Sequence, residues 1–220
     1  MRSAFDIIGP IMIGPSSSHT AGAVRLGLMA RAILAEGVKS ADIKLHGSFA
    51  QTYKGHGTDR ALIAGIMGFK PDDERIRDAL QIATENNIEY TFEKVSLEDA
   101  HPNTAIISLT GVSGRKISLQ GASIGGGNIV VSYINDFEVN LSGKYPSLIV
   151  VHRDRPGVIN GVTAALALYN INIAYMKVSR KERGAQALMN IEVDNPVPDE
   201  AIGVCSGLSG VEKVLRIDAI

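Results

Sequence analysis

Tryptophan is absent from the chain, and aromatic residues make up only 5% of it. Surfaces that bind single-stranded nucleic acid stack bases on aromatic rings, and this sequence has few to offer. Charge of one sign is missing too: 22 Lys and Arg oppose 23 Asp and Glu, a net of −1. That balance gives no electrostatic case for a nucleic-acid partner or an anionic membrane. Cys205 is the one cysteine, which excludes an intramolecular disulfide and fits a reducing compartment such as the cytoplasm. It also excludes an iron–sulfur cluster held by this chain alone, since clusters take about four cysteine ligands. No His/Cys pair stands at zinc spacing, and no apolar run approaches the roughly 18–20 residues of a membrane span. Arg2 and residues 7–13 have the outline of a secretory signal. Asp6, Pro10 and Pro15 interrupt it and no small-residue cleavage site follows, so the stretch reads as native sequence.

What is present is ordinary globular material, 45% hydrophobic and 20% charged, enough for one or two domains with real cores. Residues 5–15 are apolar but broken by Gly9, Pro10, Gly14 and Pro15, which predicts an extended, buried lead-in. Val24, Leu28, Ala32 and Ala35 recur at helical spacing and predict a helix over 20–36, stopped by Gly37. Residues 42–46 alternate as a strand does, and helices over 58–67 and 73–85 follow, ended by Gly68 and Asn86-Asn87. The pattern then turns to strands at 88–95, 104–110, 115–120, 129–134 and 138–141. Gly143-Lys144 reads as a linker, so the first domain is α+β and spans 1–143. In the second, 146–220, a strand at 147–152 leads to a helix over 156–170 with Pro156 first. Strands at 173–178 and 186–193 flank a turn at 181–184, a short helix follows Pro198, and 211–217 is a last strand. That order is βαββαβ, the ferredoxin-like split unit.

Five stretches carry polar chemistry. Gly14-Pro15-Ser16-Ser17-Ser18-His19-Thr20 places four hydroxyls and an imidazole at a helix start, where one cap would suffice. Free N–H groups and the helix dipole suit a small anion there. Lys54-Gly55-His56-Gly57-Thr58-Asp59 precedes the second helix: it is either a glycine turn with a surface histidine, or a place where backbone approaches a ligand closely. His101-Pro102-Asn103-Thr104 is a proline turn whose His and Asn offer hydrogen bonds. Gly121-Ala122-Ser123-Ile124-Gly125-Gly126-Gly127-Asn128 is a flexible hairpin or an anion-binding turn, and matches neither a dinucleotide fingerprint nor a P-loop. His152-Arg153-Asp154-Arg155-Pro156-Gly157-Val158 is a strand–helix turn or an effector loop. His46 has no assigned role, and Cys205 reads as a small buried hydrophobe.

Taken in order, the Ile8-Gly9-Pro10 and Ser-Ser-Ser-His-Thr run, Gly55-His56-Gly57-Thr58-Asp59, His101-Pro102-Asn103-Thr104 and Ser123-Ile124-Gly125-Gly126-Gly127 resemble the β subunit of bacterial iron–sulfur-dependent L-serine dehydratase. Residues 146–217, with Asp154-Arg155-Pro156-Gly157-Val158, look like an ACT domain, an amino-acid-sensing module. The first domain is also similar to the allosteric substrate-binding domain of some phosphoglycerate dehydrogenases. The resemblance implies half of an L-serine ammonia-lyase, active only with an α subunit that ligates a 4Fe–4S cluster. That enzyme turns L-serine into pyruvate and ammonia, in serine catabolism and gluconeogenesis. An iron of the cluster acts on the serine hydroxyl as Lewis acid while a base removes the α-proton. It implies His19 as the catalytic group, with Ser16, Ser17, Ser18, Thr20, His56, Thr58, His101 and Asn103 binding substrate and no metal ligand in this chain. For the ACT domain it implies an amino-acid effector held by His152, Asp154, Gly157 and Asn172. Serine-binding relatives have Asn at the place of Asp154, whose carboxylate accepts hydrogen bonds only. The implied partners are a cysteine-containing α chain, L-serine and a second copy paired through the ACT domains. A reading of another class is a non-catalytic, amino-acid-sensing regulatory subunit.

Overall fold

The computed structural model describes residues 11–14 and 16–220, which form two compact units divided between Asn135 and Asp136. In the first, a π-helical turn, Ser17–Gly22, runs directly into helix α1 (Ala23–Leu34). Strand β1 (Val38–His46), helices α2 (Gly47–His56) and α3 (Thr58–Met67), a 3-10 turn (Glu74–Asp78) and helix α4 (Ala79–Glu85) come next. Strands β2 (Glu89–Val95), β3 (Thr104–Gly111), β4 (Lys116–Gly125) and β5 (Asn128–Ile134) complete the unit. Its sheet runs β2-β1-β3-β4-β5, with β1 parallel to β2 and the other pairs antiparallel. Register places Ile43 opposite Ile107, Ile107 opposite Leu119 and Leu119 opposite Ile134, a buried apolar row across four strands.

Helix α1 packs on that sheet, and α3 packs on α1, the two helices meeting almost backbone to backbone. A Cβ on Gly65 would lie 2.0 Å from the Val24 carbonyl oxygen, and one on Gly27 would lie 2.4 Å from that of Leu62. Real Cβ atoms do not approach so closely, so glycine at both positions is what permits the crossing. The crossing holds the start of α3 beside the turn that precedes α1.

Several elements differ from the sequence expectation, each for a local reason. The helix expected over 20–36 starts as a π-turn at Ser17 and ends at Leu34, where Ala35 takes the left-handed conformation at φ 58, ahead of Gly37. Helix α2 has no counterpart in the expectation, because it is polar and buries only Phe49 and Ala50. Lys54, Gly55 and His56 accordingly lie in the last turn of a helix, and Gly57, at φ 72, ends it. The helix expected over 73–85 begins as a 3-10 turn capped by Asp73. Strand β4 runs on through Gly125, which narrows the expected glycine hairpin to a turn at Gly126-Gly127. Of the lead-in expected over 5–15, residues 5–10 and Pro15 lie outside the described residues. Its described part is not buried throughout: Ile11 is 88% exposed, while the Ile13 N–H donates to the Pro71 carbonyl at 2.9 Å.

The second unit has strands β6 (Phe137–Leu141) and β7 (Ser147–Arg153), helix α5 (Val158–Leu168), strands β8 (Ile173–Arg180) and β9 (Gln186–Val193), helix α6 (Asp199–Ser206) and strand β10 (Val211–Ile217). The sheet order β10-β7-β9-β8 is antiparallel throughout and ferredoxin-like. Its helix-facing side buries Leu148, Val150, Met189 and Ile191 against Val162, Leu166, Ala201 and Cys205. On β9 the alternate positions Asn190 and Glu192 are buried as well. Asn190 exchanges hydrogen bonds with the Asn140 backbone, and Glu192 accepts from the Ser142 N–H and hydroxyl at 2.7 and 2.8 Å. The two units divide between Asn135 and Asp136, ahead of the linker expected at Gly143-Lys144. Pro156 precedes the helix rather than starting it. Gly157, at φ 91, is the N-cap and Val158 the first helical residue.

Candidate functional site

The site grows from the junction of the π-turn with α1. Ser16 is the N-cap, extended at φ −145, and its Oγ accepts the His19 N–H at 3.3 Å. The same Oγ lies 3.4 Å from His19 Nδ1. The other ring nitrogen, Nε2, lies 3.1 Å from Ser48 Oγ. Ser48 is fixed in turn by its N–H, which donates to the Pro102 carbonyl at 2.7 Å. That approach requires Gly47: its φ is 57, and a Cβ there would sit 2.6 Å from the Pro102 oxygen. A π-turn shifts side chains around the helix axis relative to α-spacing, and such turns recur at functional sites.

His19 is 9% exposed, and its ring stands edge-on to His56, centroids 4.8 Å apart at 89°. Phe49 closes another side, its ring centroid 5.2 Å away. Burial foremost, and the neighbouring His56 second, hold the His19 pKa below its usual value. His19 is thus a neutral imidazole at neutral pH, with a hydroxyl at each nitrogen. A hydroxyl both donates and accepts, so either nitrogen can carry the proton.

Thr20, 2% exposed, has a buried Oγ1 with no hydrogen-bond partner, and so has Thr58, the first residue of α3. Ser123 Oγ is the third such hydroxyl in this unit among the described residues. An unpaired buried hydroxyl costs about 1–3 kcal/mol, so three in one region call for an explanation. Thr20 lines a cavity of about 260 Å³ together with Lys54, His56, Arg60 and Arg77. Asp59 is buried beside this cluster, where burial raises its pKa, and its Oδ1 accepts the Arg60 N–H at 2.8 Å.

Of the residues marked from the sequence, Ser16, His19, Thr20 and His56 come together here, and Thr58 starts the helix beside them. Ser17 and Ser18 are half-buried in the π-turn and make no side-chain hydrogen bond with a described residue. His101 and Asn103 act as a brace. The exposed His101 accepts the Asn103 N–H at Nδ1, 3.1 Å, and Asn103 Nδ2 donates to the Ser123 carbonyl at 3.3 Å. Their loop thereby ties the start of α2 to β4. Sequence reasoning missed Ser48, Phe49, Arg60 and Arg77. Gly47-Ser48 directly after a strand was the available signal for the first two. Arg60 and Arg77 look in the sequence like any solvated cations.

In the second unit His152 is 1% exposed, its Nδ1 donating to the Arg153 carbonyl at 2.8 Å and its Nε2 buried without a partner. Asp154 accepts from Arg180 at 2.6 Å and from the Gly184 N–H at 3.0 Å, and those two contacts depress its pKa. Asn172 donates to Asp194 at 2.7 Å. Gly157 is occupied as the helix cap.

Comparison with known proteins agrees with this division. Residues 3–133 match the family model for the serine dehydratase beta chain, and residues 147–203 match the ACT domain. The chain is 47% identical over 216 residues to a probable L-serine dehydratase, beta chain, of Bacillus subtilis, across 98% of each chain. It is 37% identical over 212 residues to the L-serine dehydratase, beta chain, of Peptoniphilus asaccharolyticus, across 96% of this chain and 94% of that one. A stretch of 78 residues is 45% identical to L-serine dehydratase 2 of Escherichia coli, covering 33% of this chain and 17% of that protein.

Proposed function

The chain belongs to the serine dehydratase beta-chain family, and from that premise we propose that it supplies the substrate-binding and proton-handling half of an L-serine deaminating complex. The proposed reaction removes the α-proton and the β-hydroxyl of L-serine; the enamine formed tautomerises and hydrolyses to pyruvate and ammonia. The observation that carries the reading is His19: a buried, neutral imidazole with a serine hydroxyl at each nitrogen, edge-on to His56. Such a ring accepts a proton at one nitrogen while the hydroxyl at the other holds its orientation. His56 is more exposed and offers the next station for that proton.

The iron–sulfur chemistry of the proposed reaction is placed outside this chain. Cys205 is buried in the second unit's core, and among the described residues no three His, Cys, Asp or Glu side chains stand together as metal ligands would. The donor set does not fit a cluster, so the proposal places a 4Fe–4S cluster in a separate, cysteine-containing α chain. Among the described residues no helix is long and apolar enough to cross a membrane, and a cytoplasmic complex is part of the proposal.

The test is anaerobic reconstitution with such an α chain, measuring pyruvate from L-serine. His19→Ala is expected to lower kcat by about 10²- to 10⁴-fold while the complex still assembles. An assembled native complex that leaves serine untouched would overturn the proposed reaction, and full activity of the variant would overturn the role of His19.

A further inference from the structure

The cavity beside His56 has a charge pattern that the histidine pair does not account for. Lys54, Arg60 and Arg77 all line it, and among its described lining residues none is acidic. Neither guanidinium makes a hydrogen bond or salt bridge through its side chain to a described residue. Asp59, whose Oδ1 takes the Arg60 N–H, feels the charges of Arg60 and Lys54 but makes no side-chain hydrogen bond or salt bridge with either. Arg60 is the third residue of α3, in the first turn, where a cation opposes the helix dipole. Its attraction to the adjacent Asp59 offsets part of that cost without engaging the guanidinium in a hydrogen bond to a described residue. The hydroxyl of Thr20, unpartnered and 2% exposed, belongs to the same wall. A cavity lined by three cations and one unpartnered buried hydroxyl, with no acidic side chain among its described lining residues, is complementary to a small oxyanion, and arginine holds a planar carboxylate with two parallel bonds.

We propose that this cavity is the carboxylate pocket of the site, with Arg60 and Arg77 receiving the α-carboxylate of a small amino acid and Thr20 donating its hydroxyl to it. The proposal rests on the deamination reading above, and it adds which residues recognise the substrate class. His56 joins the two parts, since it lines the cavity and stands against His19. A carboxylate held by the arginines shares the cavity with His56, which connects it to His19. Arg60 and Arg77 are therefore specificity residues that bind the ground state and the transition state alike. Uniform binding of that kind appears in KM and leaves kcat nearly unchanged.

Two arms test it. In the reconstituted enzyme, Arg60→Gln is expected to raise KM for L-serine about 10- to 100-fold with little change in kcat, the range of a lost charge-assisted bond. Arg60→Lys recovers part of the loss, and sodium sulfate inhibits the native enzyme competitively but the glutamine variant weakly. In the second arm the imidazole resonances of the full chain, alone and in the complex, are followed by NMR during titration with L-serine and with sodium sulfate. Saturable shifts at His56 that vanish in the Arg60→Gln/Arg77→Gln variant support the pocket. Both positions are exposed, so the variants fold, which circular dichroism confirms before titration. An unchanged KM, a loss confined to kcat, or a response to sulfate with none to serine overturns the assignment. A complex that binds serine through Arg60 yet releases no pyruvate leaves the pocket standing and removes the deamination reading instead.

Discussion

His19 and His152 are both buried imidazoles, at 9% and 1% exposure, and each precedes a helix start; their neighbours set them apart. Around His19 the polar groups are positioned and then left open: the Thr20 and Thr58 hydroxyls have no partner, and the guanidiniums of the cavity make no hydrogen bond or salt bridge to a described residue. Around His152 the candidate ligands are consumed by one another or by backbone. Asp154 is taken by Arg180 and Gly184, and Asn172 by Asp194, so only His152 Nε2 is open. Unpaired buried polar groups lower stability, so a region that keeps several of them has a use for them beyond folding. The first unit's open polar groups are what the proposed ligand site uses. The corner of the second, in this conformation, is a latch that closes the β8–β9 turn onto the loop after β7, and an effector that used Asp154 has first to displace Arg180.

The contrast breaks most severely at Gly65. Valine there collides with the Val24 carbonyl across the α1–α3 crossing, and overpacking against rigid backbone costs about 3 kcal/mol or more. For a unit of this size that lowers Tm by roughly 10 °C. Calorimetry is expected to show the first unit melting early, with serine turnover lost, while the ferredoxin-like unit keeps its transition. A single transition that moves as a whole would refute the independence of the two regions.

A change at the latch should act in the other direction. Asp154→Ala removes the acceptor for Arg180 and for the Gly184 N–H, so amide exchange in the β8–β9 turn accelerates, while KM for serine in the complex stays as it was. A rise in KM would make Asp154 part of the substrate site and erase the distinction drawn above.

Acid separates the two regions more gently. His19 has a folded-state pKa below its usual value of about 6.5, so below that pH the unfolded chain takes up the proton first. This group leaves stability unchanged above pH ~6.5, subtracts from it as pH falls, and levels off once its folded-state pKa is passed. Asp154 has the opposite sign: a depressed carboxylate adds stability above its usual pKa, about 3.9, and loses it as pH falls through the lower folded value. Between pH 7.5 and 5 the urea midpoint of the first unit is expected to fall more, or rise less, in the native chain than in His19→Gln, since Asp59, whose pKa burial raises, contributes the opposite slope equally to both. Equal slopes in the native chain and that variant would show that His19 is not the group responsible.

How far these regions were legible in the sequence follows from how local their determinants are. The βαββαβ order was readable because each element carries its own apolar alternation and turn residues. Helix α2 was not: it buries two residues, and its start depends on Pro102, far along the chain, accepting the Ser48 N–H. Ser16, Ser17, Ser18 and Thr20, with His19, stood out as more polar groups than a cap needs, and the structure gives two of the hydroxyls separate tasks, Ser16 as cap and Thr20 at the cavity wall. Ser48, Arg60 and Arg77 join the site only through tertiary approach. The latch was hidden for the same reason, since a carboxylate after a strand looks identical whether free or already paired.

The finest distinction lies between two threonines in the same unit. Thr58 Oγ1 and Thr20 Oγ1 are both buried and unpartnered, but Thr20 lines the cavity and Thr58 does not. Valine has the same shape as threonine and removes the stranded hydroxyl, so each Thr→Val change should be neutral or stabilising by up to about 1 kcal/mol. Their effects on turnover should part: Thr58→Val leaves KM for serine where it was, and Thr20→Val raises it several-fold, the loss expected of one hydrogen bond. Denaturant midpoints and steady-state kinetics on the two variants decide this. If both variants raise KM alike, the open hydroxyls form one binding surface reaching to the start of α3. If neither does, Thr20 is merely unsatisfied, and the cationic side chains alone distinguish the first unit's corner from the second's.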